Sequence, residues 1–322
     1  MSHANALSAD DEVDPQIRLF RQRMQAGYAA FPPFPQLTPE QARRVAEQVR
    51  APWTRGGPAM ARSEELRAGA LGTRIRIHHP TTATTPLPAL VYLHGGGWTL
   101  FSLDTHDRLM REYAARAGVA VVGVDYSLAP EAKFPRALEE TVDTIGWLRE
   151  RGGEHGIDGA RVAVGGDSAG ANLALAAALA LRDRGLPLPT ALLLNYGAFD
   201  PEPDPGWQRY DGRGYMLDAA EMHGFWNNYL RDAADRADPL AAPIRADLRG
   251  LPPAFMAIAA CDILADGNRR MAAALRAAGV EVDARVYAGA THSFLEAVSI
   301  APLSDRALDE AGAWLRARLA GA

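Results

Sequence analysis

The sequence predicts an α/β fold in which helices cover both faces of a mostly parallel β-sheet. From about residue 72 onward, short runs typical of strands alternate with helical stretches, and this alternation indicates a parallel sheet. The runs over residues 90–93 and 119–124 are apolar throughout, as expected of strands that are buried on both faces. We therefore place these two runs at the centre of the sheet.

Two helices are predicted before the sheet. Asp14 followed by Pro15 places an N-cap ahead of a proline at the first helical position, and apolar residues follow at helical spacing. A capping-box pattern at residues 38–41, Thr-Pro-Glu-Gln, begins a second helix that runs to about Arg50. Residues 31–35, Phe-Pro-Pro-Phe-Pro, are expected to form an extended connector between the helices.

Seven strands are predicted in order along the rest of the chain. They cover residues 74–78, 89–93, 119–124, 161–164, 191–195, 254–259 and 282–287. The alternation of strands and helices is interrupted between about residues 200 and 243 by a segment that carries six aromatic residues. We interpret this segment as an insertion whose rings either form its own core or line a pocket beneath it.

Composition excludes several classes of function. The 322 residues include 34 Lys+Arg and 39 Asp+Glu, for a formal charge of −5. This mild acidity gives no electrostatic reason to bind nucleic acid or an anionic membrane, so we predict neither partner. Cys261 is the single cysteine, which excludes an intramolecular disulfide and a site built on a cysteine pair.

The chain is expected to be cytoplasmic. Its N-terminal residues lack a basic segment followed by an apolar one, so we predict no secretory signal. No apolar run is long enough to span a bilayer. His78 and His79 end a predicted strand without a third ligand at useful spacing, and we expect them to be exposed rather than to bind a metal.

Residues 162–170, Val-Ala-Val-Gly-Gly-Asp-Ser-Ala-Gly, form an apolar strand that leads into G-x-S-x-G, with a helical stretch directly after it. This is the context of a nucleophile elbow, which exposes a serine at a sharp strand-to-helix turn. Glycine is needed at positions 166 and 170 because a Cβ there would collide with neighbouring backbone. Ser168 is therefore the candidate nucleophile.

Residues 94–98, His-Gly-Gly-Gly-Trp, directly follow a predicted buried strand. Backbone N–H groups in a glycine loop can stabilise the negative charge that develops on a carbonyl oxygen during acyl transfer. We assign the N–H groups of Gly95, Gly96 and Ala169 to such an oxyanion hole. The alternative, a phosphate- or dinucleotide-binding loop, is disfavoured because no G-x-G-x-x-G can be traced through residues 95–100.

An elbow serine needs a base and an acid, which follow it in the order acid and then histidine. Of the eight histidines, only His223 and His292 come after Ser168. His292 follows the last predicted strand and is the candidate base, since His223 lies in the aromatic insertion. Asp262 ends the preceding strand and is the candidate acid, and the competitor is Asp266, which is also suited to a helix N-cap.

These motifs resemble those of the hormone-sensitive-lipase-like (bacterial family IV) esterases of the α/β-hydrolase fold. The resemblance covers most of the chain after about residue 85 and extends to residues 125–131, Asp-Tyr-Ser-Leu-Ala-Pro-Glu, and to Leu-Pro-Pro at 251–253. It implies an α/β-hydrolase domain with a helical cap. The cap would comprise N-terminal helices within residues 1–60 and an insertion at 200–245, and the catalytic domain residues 61–199 and 246–322.

The chain departs from the family pattern at a few positions. Ser127 stands where arginine is usual, Phe101 where a glycine often follows the oxyanion loop, and Ser293 where a glycine usually follows the histidine. None of these changes removes a catalytic group. Phe101 is expected to narrow or reshape the loop near the pocket and so to affect substrate size. His106, farther along, is expected to hold the oxyanion loop by local hydrogen bonding.

The resemblance implies a serine carboxylesterase that acts through an acyl-enzyme without a metal, nucleotide or organic cofactor. A capped pocket lined by aromatic residues suggests short- to medium-chain or aromatic esters as substrates. Its partner would be a small-molecule ester, and similar esterases often form homodimers through the sheet edge. The expected substrate-binding residues are Trp98, Phe101, Tyr215, Trp226, Ser293 and Phe294.

Two alternatives remain open from the sequence. An amidase, lactonase or deacetylase of a specific metabolite would use the same triad, since pocket contacts decide the bond that is cleaved. A small-molecule receptor on this fold would bind without turnover. Such receptors resembling the family lack the catalytic histidine, so the presence of His292 favours an enzyme.

Overall fold

An eight-stranded sheet forms the centre of the computed structural model, which describes residues 12–320 apart from the side chain of Arg213. The strand order is β1-β2-β4-β3-β5-β6-β7-β8, and all pairs are parallel except β1 with β2 and β2 with β4. The strands are β1 (Arg62–Ala68), β2 (Thr73–His79), β3 (Leu87–Leu93), β4 (Ala120–Val124), β5 (Ile157–Asp167), β6 (Leu192–Asn195), β7 (Ala254–Cys261) and β8 (Val282–Thr291).

All seven strands predicted from the sequence are confirmed, and the apolar pair β3 and β4 lies in the middle of the strand order. Strand β1 was missed. Its sequence, Arg-Ser-Glu-Glu-Leu-Arg-Ala, carries no apolar run, because most of its side chains are exposed or half-buried at the sheet edge. Strand β8 forms the opposite edge, and the dimer expected through a sheet edge stays a prediction.

Helices cover both faces of the sheet, as predicted. Within residues 12–320 they are α1 (Pro15–Tyr28), α2 (Pro39–Arg50), α3 (Asp107–Ala117), α4 (Arg136–Arg151), α5 (Ala169–Asp183), α6 (Pro205–Arg209), α7 (Ala219–Tyr229), α8 (Ala265–Ala277) and α9 (Pro302–Leu319).

Both predicted N-terminal helix starts are confirmed. The Asp14 carboxylate accepts the N–H groups of residues 16 and 17 at the start of α1, and Thr38 forms the predicted capping box with Gln41 at the start of α2. The connector between them is not wholly extended, because Phe34–Gln36 form one turn of 3₁₀ helix. Pro35 is tolerated at the second position of this turn, because the first N–H groups of a helix have no acceptor within it.

The carboxyl ends of the parallel strands gather the candidate functional segments at one edge of the sheet. The glycine loop begins directly after β3, and Ser168 directly follows β5. Asp262 follows β7 and His292 follows β8. Because parallel strands all end at the same edge, residues scattered over almost 200 positions can meet there.

The N-terminal helices and the insertion contact each other and this edge. Arg21 in α1 donates a hydrogen bond to the carbonyl of Gly214 in the insertion at 2.5 Å. Arg43 in α2 donates to the carbonyl of Thr99, beside the glycine loop, at 2.9 Å. Lys133 donates from Nζ to three carbonyls at the end of α7, those of Asn227, Asn228 and Leu230, at 3.0, 2.8 and 2.7 Å.

The expected exposure of His78 and His79 is wrong. The two side chains are buried, because β2 lies inside the sheet between β1 and β4. His78 Nδ1 lies 2.8 Å from Ser63 Oγ, and its Nε2 lies 3.2 Å from Asp107 Oδ1. Across residues 12–320, no three His, Cys, Asp or Glu side chains gather as a potential metal site.

None of the helices within the described residues combines the length and the apolar composition that a membrane crossing requires. The predicted absence of a secretory signal concerns the first residues of the chain, and residues 1–11 lie outside the described part.

The capping box of α2 is expected to stabilise the N-terminal region measurably. Thr38 Oγ1 accepts the N–H of Gln41 at 3.3 Å, and Gln41 Oε1 accepts the N–H of Thr38 at 2.9 Å. Thr38→Ala should lower the free energy of unfolding by about 1 kcal/mol, as measured by denaturant titration. Thr38→Ser should retain most of the stability, and Thr82→Ala, on an exposed loop, serves as a control. Equal stability of Thr38→Ala and wild type would contradict the prediction.

Candidate active site

Ser168 occupies the turn between β5 and α5 in a strained backbone conformation. Its φ is 55° and its ψ is −117°, values that a residue with a side chain adopts only where its surroundings enforce them. A Cβ at position 166 would lie 2.6 Å from the carbonyl carbon of Gly170, and one at 170 would lie 2.6 Å from that of Leu93. The predicted need for glycine on both sides of the elbow is therefore confirmed.

The structure brings Ser168, His292 and Asp262 together. His292 Nε2 lies 2.9 Å from Ser168 Oγ, and its Nδ1 lies 2.7 Å from Asp262 Oδ2. The other carboxylate oxygen of Asp262 accepts the N–H of Leu264 at 2.9 Å. An acid at Nδ1 keeps a proton on that nitrogen and leaves Nε2 to accept one. The chain Ser–His–Asp thus has the geometry of a general base poised beside a nucleophile.

The environment of His292 changes its protonation. Burial lowers the pKa of its imidazole, but the negative charge of Asp262 and the hydrogen bond to it outweigh this effect. Asp167 adds in the same direction, whereas the cation of Arg50 opposes it. The net result is a pKa above the ordinary value of 6.5, so the neutral form of His292 needs a higher pH than a free imidazole does.

The competitors for the acid and the base lie elsewhere. Asp266 is in the first turn of α8 and forms an ion pair with Arg269 at 2.7 Å. His223 is exposed on α7, where its ring lies 5.1 Å from that of Trp207.

The oxyanion prediction needs one correction, at Gly95. Its N–H is donated to Asp167 Oδ1 at 3.2 Å, and a Cβ at this position would run into the same carboxylate. The N–H groups of Gly96, Gly97 and Ala169 have no acceptor among residues 12–320. These three N–H groups are therefore the candidate donors. The path of the loop directs the N–H of Gly95 to Asp167 and leaves the N–H of Gly97 without an acceptor.

Asp167, inside the elbow motif, supports the oxyanion loop by hydrogen bonding. In addition to the N–H of Gly95, its carboxylate accepts a hydrogen bond from the hydroxyl of Tyr92 at 2.8 Å. Its Oδ2 lies 3.3 Å from His106 Nε2. Burial raises the pKa of Asp167, yet the charge and hydrogen bond of His106 bring it below its ordinary value. Burial lowers the pKa of His106, which the charge of Asp167 raises above the ordinary value. The expectation that His106 helps to hold the loop is confirmed, with Asp167 as intermediary.

The segment at residues 125–131 supports the same loop. The hydroxyl of Tyr126 donates to the carbonyl of His94 at 2.8 Å, and the two rings stack with centroids 4.4 Å apart. Ser127 donates from both its N–H and its hydroxyl to Glu140 in α4, each at 2.7 Å. The segment is thereby tied to α4 on one side and to the glycine loop on the other.

Three of the residues expected to bind substrate serve as packing instead. Trp98 and Trp226 are 1% and 0% exposed, with ring centroids 4.5 Å apart, and Trp98 stacks on Tyr229 at 4.2 Å. Phe294 is 0% exposed, with its ring against Tyr196 and Tyr287. Rings covered to this extent leave a substrate almost no surface to contact in this conformation. For these three the prediction is wrong, since the bulk of an aromatic residue does not reveal which neighbour covers it.

The other three are less deeply buried, and their role in substrate binding stays a prediction. Ser293 is 7% exposed and follows His292 in a left-handed conformation with φ of 61°. Tyr215 packs edge-on against Tyr210 with centroids 5.2 Å apart. Phe101 is half-buried, and its ring lies under the guanidinium of Arg50, whose Cζ is 3.8 Å from the ring centroid.

Sequence reasoning missed two residues beside the candidate triad. The ring of Tyr196 lies 5.1 Å from the imidazole of His292, and its buried hydroxyl has no hydrogen-bond partner within the described part of the chain. Arg50 is buried and forms an ion pair with Glu296. Neither belongs to a recognisable motif, and only the packing of α2 and β6 against the histidine loop reveals them.

Comparison with known proteins agrees with this geometry. The model of a protein family described as having the alpha/beta hydrolase fold matches residues 90–296. The chain is 36% identical over 254 residues to an acetyl esterase of Salmonella paratyphi B, covering 78% of this chain and 77% of that protein.

Solved esterase structures are similar along nearly the whole chain. A hyperthermophilic esterase from the archaeon Pyrobaculum calidifontis superposes with a TM-score of 0.88 at 33% identity, covering 95% of this chain and 98% of that one. A thermostable esterase from Pseudomonas putida superposes with a TM-score of 0.89 at 31% identity, covering 98% and 100%. The chain therefore belongs to the hormone-sensitive-lipase-like esterases of the α/β-hydrolase fold and is a hydrolase of ester bonds.

Proposed function

We propose that the protein is a serine carboxylesterase that hydrolyses short-chain carboxylic esters, with Ser168, His292 and Asp262 as its catalytic triad. The observation that carries the proposal is the continuous contact from Ser168 Oγ through His292 to Asp262, at 2.9 and 2.7 Å. A nucleophile and its base within hydrogen-bond distance, with the base oriented by a third group, is the arrangement that covalent catalysis requires.

The first half of the reaction forms an acyl-enzyme. Ser168 Oγ attacks the ester carbonyl while His292 Nε2 takes the hydroxyl proton, and Asp262 stabilises the resulting imidazolium. The N–H groups of Gly96, Gly97 and Ala169 would stabilise the oxyanion as it forms. Collapse of the tetrahedral intermediate breaks the bond to the alcohol oxygen, which receives the proton from His292.

The second half releases the acid. His292 Nε2 takes a proton from a water molecule, whose oxygen attacks the acyl carbon of the ester with Ser168. The same N–H groups would stabilise the second oxyanion. Collapse of this intermediate breaks the bond between the acyl carbon and Ser168 Oγ, which receives the proton from His292, and the carboxylic acid leaves the free enzyme. No step needs a metal ion or an organic cofactor.

The proposed preference for short acyl groups follows from packing at the site. Residues 200–245 and the N-terminal helices would form a cap over the catalytic domain, and Trp226 and Tyr229 of this segment pack against Trp98 of the glycine loop. Ser168 is 6% exposed and His292 7%, so little room surrounds the nucleophile. The name acetyl esterase, which the Salmonella relative carries, supports the same preference.

Ser168→Ala should abolish ester hydrolysis. Removal of the nucleophile is expected to lower kcat by about 10⁴-fold or more, because the remaining groups supply only part of the rate enhancement. The measurement is release of p-nitrophenol from esters of acetyl to dodecanoyl length, on which wild type should be fastest with the shortest chains. Ser299→Ala, at an exposed serine, is the control and should retain activity. Comparable rates for wild type and Ser168→Ala would refute the proposed nucleophile.

The pH dependence should show an acidic limb set by His292. Since the raised pKa favours the imidazolium, the base form is lost as pH falls, and kcat/KM should decline with a midpoint above about 6.5. A pH series of kcat/KM on an acetyl ester measures this midpoint. His223→Gln, at the exposed histidine of α7, should leave it unchanged. A midpoint below 6.5, or the absence of any acidic limb, would contradict the assignment of the base.

Asp167→Asn should impair catalysis by loosening the oxyanion loop. The neutral amide is a weaker partner for His106 and for the N–H of Gly95, so the donors of Gly96 and Gly97 would be held less firmly. We expect kcat to fall by about tenfold or more, since one well-placed oxyanion donor is worth about 10²–10³ in rate, with a smaller change in KM. Asp158→Asn, at the other end of β5, is the matched control. Unchanged kcat in Asp167→Asn would contradict this role.

A further inference from the structure

Arg50 joins the N-terminal helices to the loop that carries His292. It is the last residue of α2, and its side chain is 5% exposed. Nη1 donates to Glu296 Oε2 at 2.5 Å, across 246 positions of sequence. Glu296, whose side chain is also 5% exposed, lies in the 3₁₀ turn Phe294–Ser299 that directly follows Ser293. A buried cation from α2 thus pairs with a buried anion four residues after the candidate base.

The same guanidinium contacts the oxyanion loop through Phe101. Its Cζ lies 3.8 Å from the centroid of the Phe101 ring, a contact that is favourable where water is excluded. Phe101 has a φ of 72°, in the region that favours glycine. Its ring lies so close to Gly96 that a Cβ there would come within 2.6 Å of it. The departure from the family pattern at position 101 therefore supplies the ring on which Arg50 stacks.

A third interaction extends to α1, where Arg50 acts electrostatically on the side chain of Tyr28 and opposes the rise in its pKa that burial causes. The stability of the fold does not require such an arrangement. A buried ion pair can often be replaced by apolar side chains of similar volume without loss of stability, because removing two charges from water is costly. The Arg50–Glu296 pair lies between the histidine loop and the oxyanion loop, and this location suggests that it serves the site rather than the stability of the fold.

We propose that Arg50 is a positioning residue that couples the N-terminal helices to both catalytic loops, through Glu296 to the histidine loop and through Phe101 to the oxyanion loop. The inference rests on the proposed function, because it requires His292 to act as the base. In this arrangement the charge of Arg50 also acts on the imidazole, and Glu296 offsets that charge.

Several charged and titratable groups face His292. Asp262 after β7 and Asp167 at the end of β5 raise the pKa of its imidazole, and Arg50 in α2 lowers it. Glu221 in α7 interacts electrostatically with His292. Glu296 follows it on the same loop, and the ring of Tyr196 after β6 packs against it. Loss of the cation alone should therefore raise the pKa of His292, and loss of the Glu296 anion alone should lower it.

The first experiment measures kcat/KM against pH for Arg50→Met and Glu296→Gln in the full chain. We expect the acidic limb to move to higher pH in Arg50→Met and to lower pH in Glu296→Gln, each by about half a pH unit or more. In Arg50→Met/Glu296→Met both charges are removed, and the limb should return close to its wild-type position. A role confined to stability would not move the limb in opposite directions.

A second measurement separates positioning from charge. Arg50→Lys keeps the cation but loses the planar fork that pairs with Glu296 and stacks on Phe101. We expect kcat to fall by about tenfold, since small misplacements of reacting groups are costly, with KM and the acidic limb nearly unchanged. The control is the exposed ion pair between Arg44 and Glu40 on the same helix, where Arg44→Met and Glu40→Gln should alter neither kcat nor the limb.

The results decide between the proposals. Shifts of both single variants in the same direction, or no shift in either, would overturn the inference. If a single variant fails to fold, the double variant and Arg50→Lys carry the test, and wild-type kcat in Arg50→Lys would overturn it. Ser168→Ala is assayed in parallel. An active Ser168→Ala would refute the proposed function as well. If Ser168→Ala is inactive and the acidic limb does not move in the Arg50 and Glu296 variants, only the role of Arg50 is refuted.

Discussion

The close approach of three backbone segments at the nucleophile elbow is the constraint on which the rest of the site depends. The turn from β5 into α5 packs against the end of β3 so tightly that positions 166 and 170 admit no side chain. This contact places Ser168 beside the loop that begins at His94. The free N–H of Ala169, at the start of α5, and those of the glycine loop can then point to the same position, where the oxyanion would form. Any loosening of this contact would separate the nucleophile from the groups that are proposed to stabilise its product.

Buried charges hold the loops around that contact. Asp262 pairs with His292, Asp167 with His106 and Glu296 with Arg50, and each pair joins segments far apart in sequence. Every one of these carboxylates meets a cation or an imidazole, because an isolated buried charge would cost far more than folding can offset. Loops have few apolar contacts of their own. Paired charges and side-chain hydrogen bonds therefore fix their conformation, whereas backbone hydrogen bonds fix that of strands and helices.

Aromatic residues show how composition can mislead about a pocket. Trp98, Trp226 and Tyr229 form a sealed cluster between the insertion and the glycine loop, so their role is to attach one to the other. Phe101 was expected to affect the pocket by its size, and its ring instead lies beneath a buried guanidinium. In both cases the sequence shows that a large ring is present, but the group that stacks on Trp98 or on Phe101 comes from a segment more than 50 positions away.

The sequence by itself determined seven of the eight strands, the starts of both N-terminal helices and the order of the candidate catalytic groups. Helix caps, buried strands and the elbow are read from residues adjacent along the chain, and the order of serine, acid and histidine needs only chain order and strand ends. Tertiary structure decided which glycine N–H groups stay free, why His78 is buried, and that Arg50 meets Glu296. These depend on the path of a loop, on the order of strands in the sheet and on a contact across 246 positions. No local pattern encodes such distances, because they arise only when all the elements have packed together.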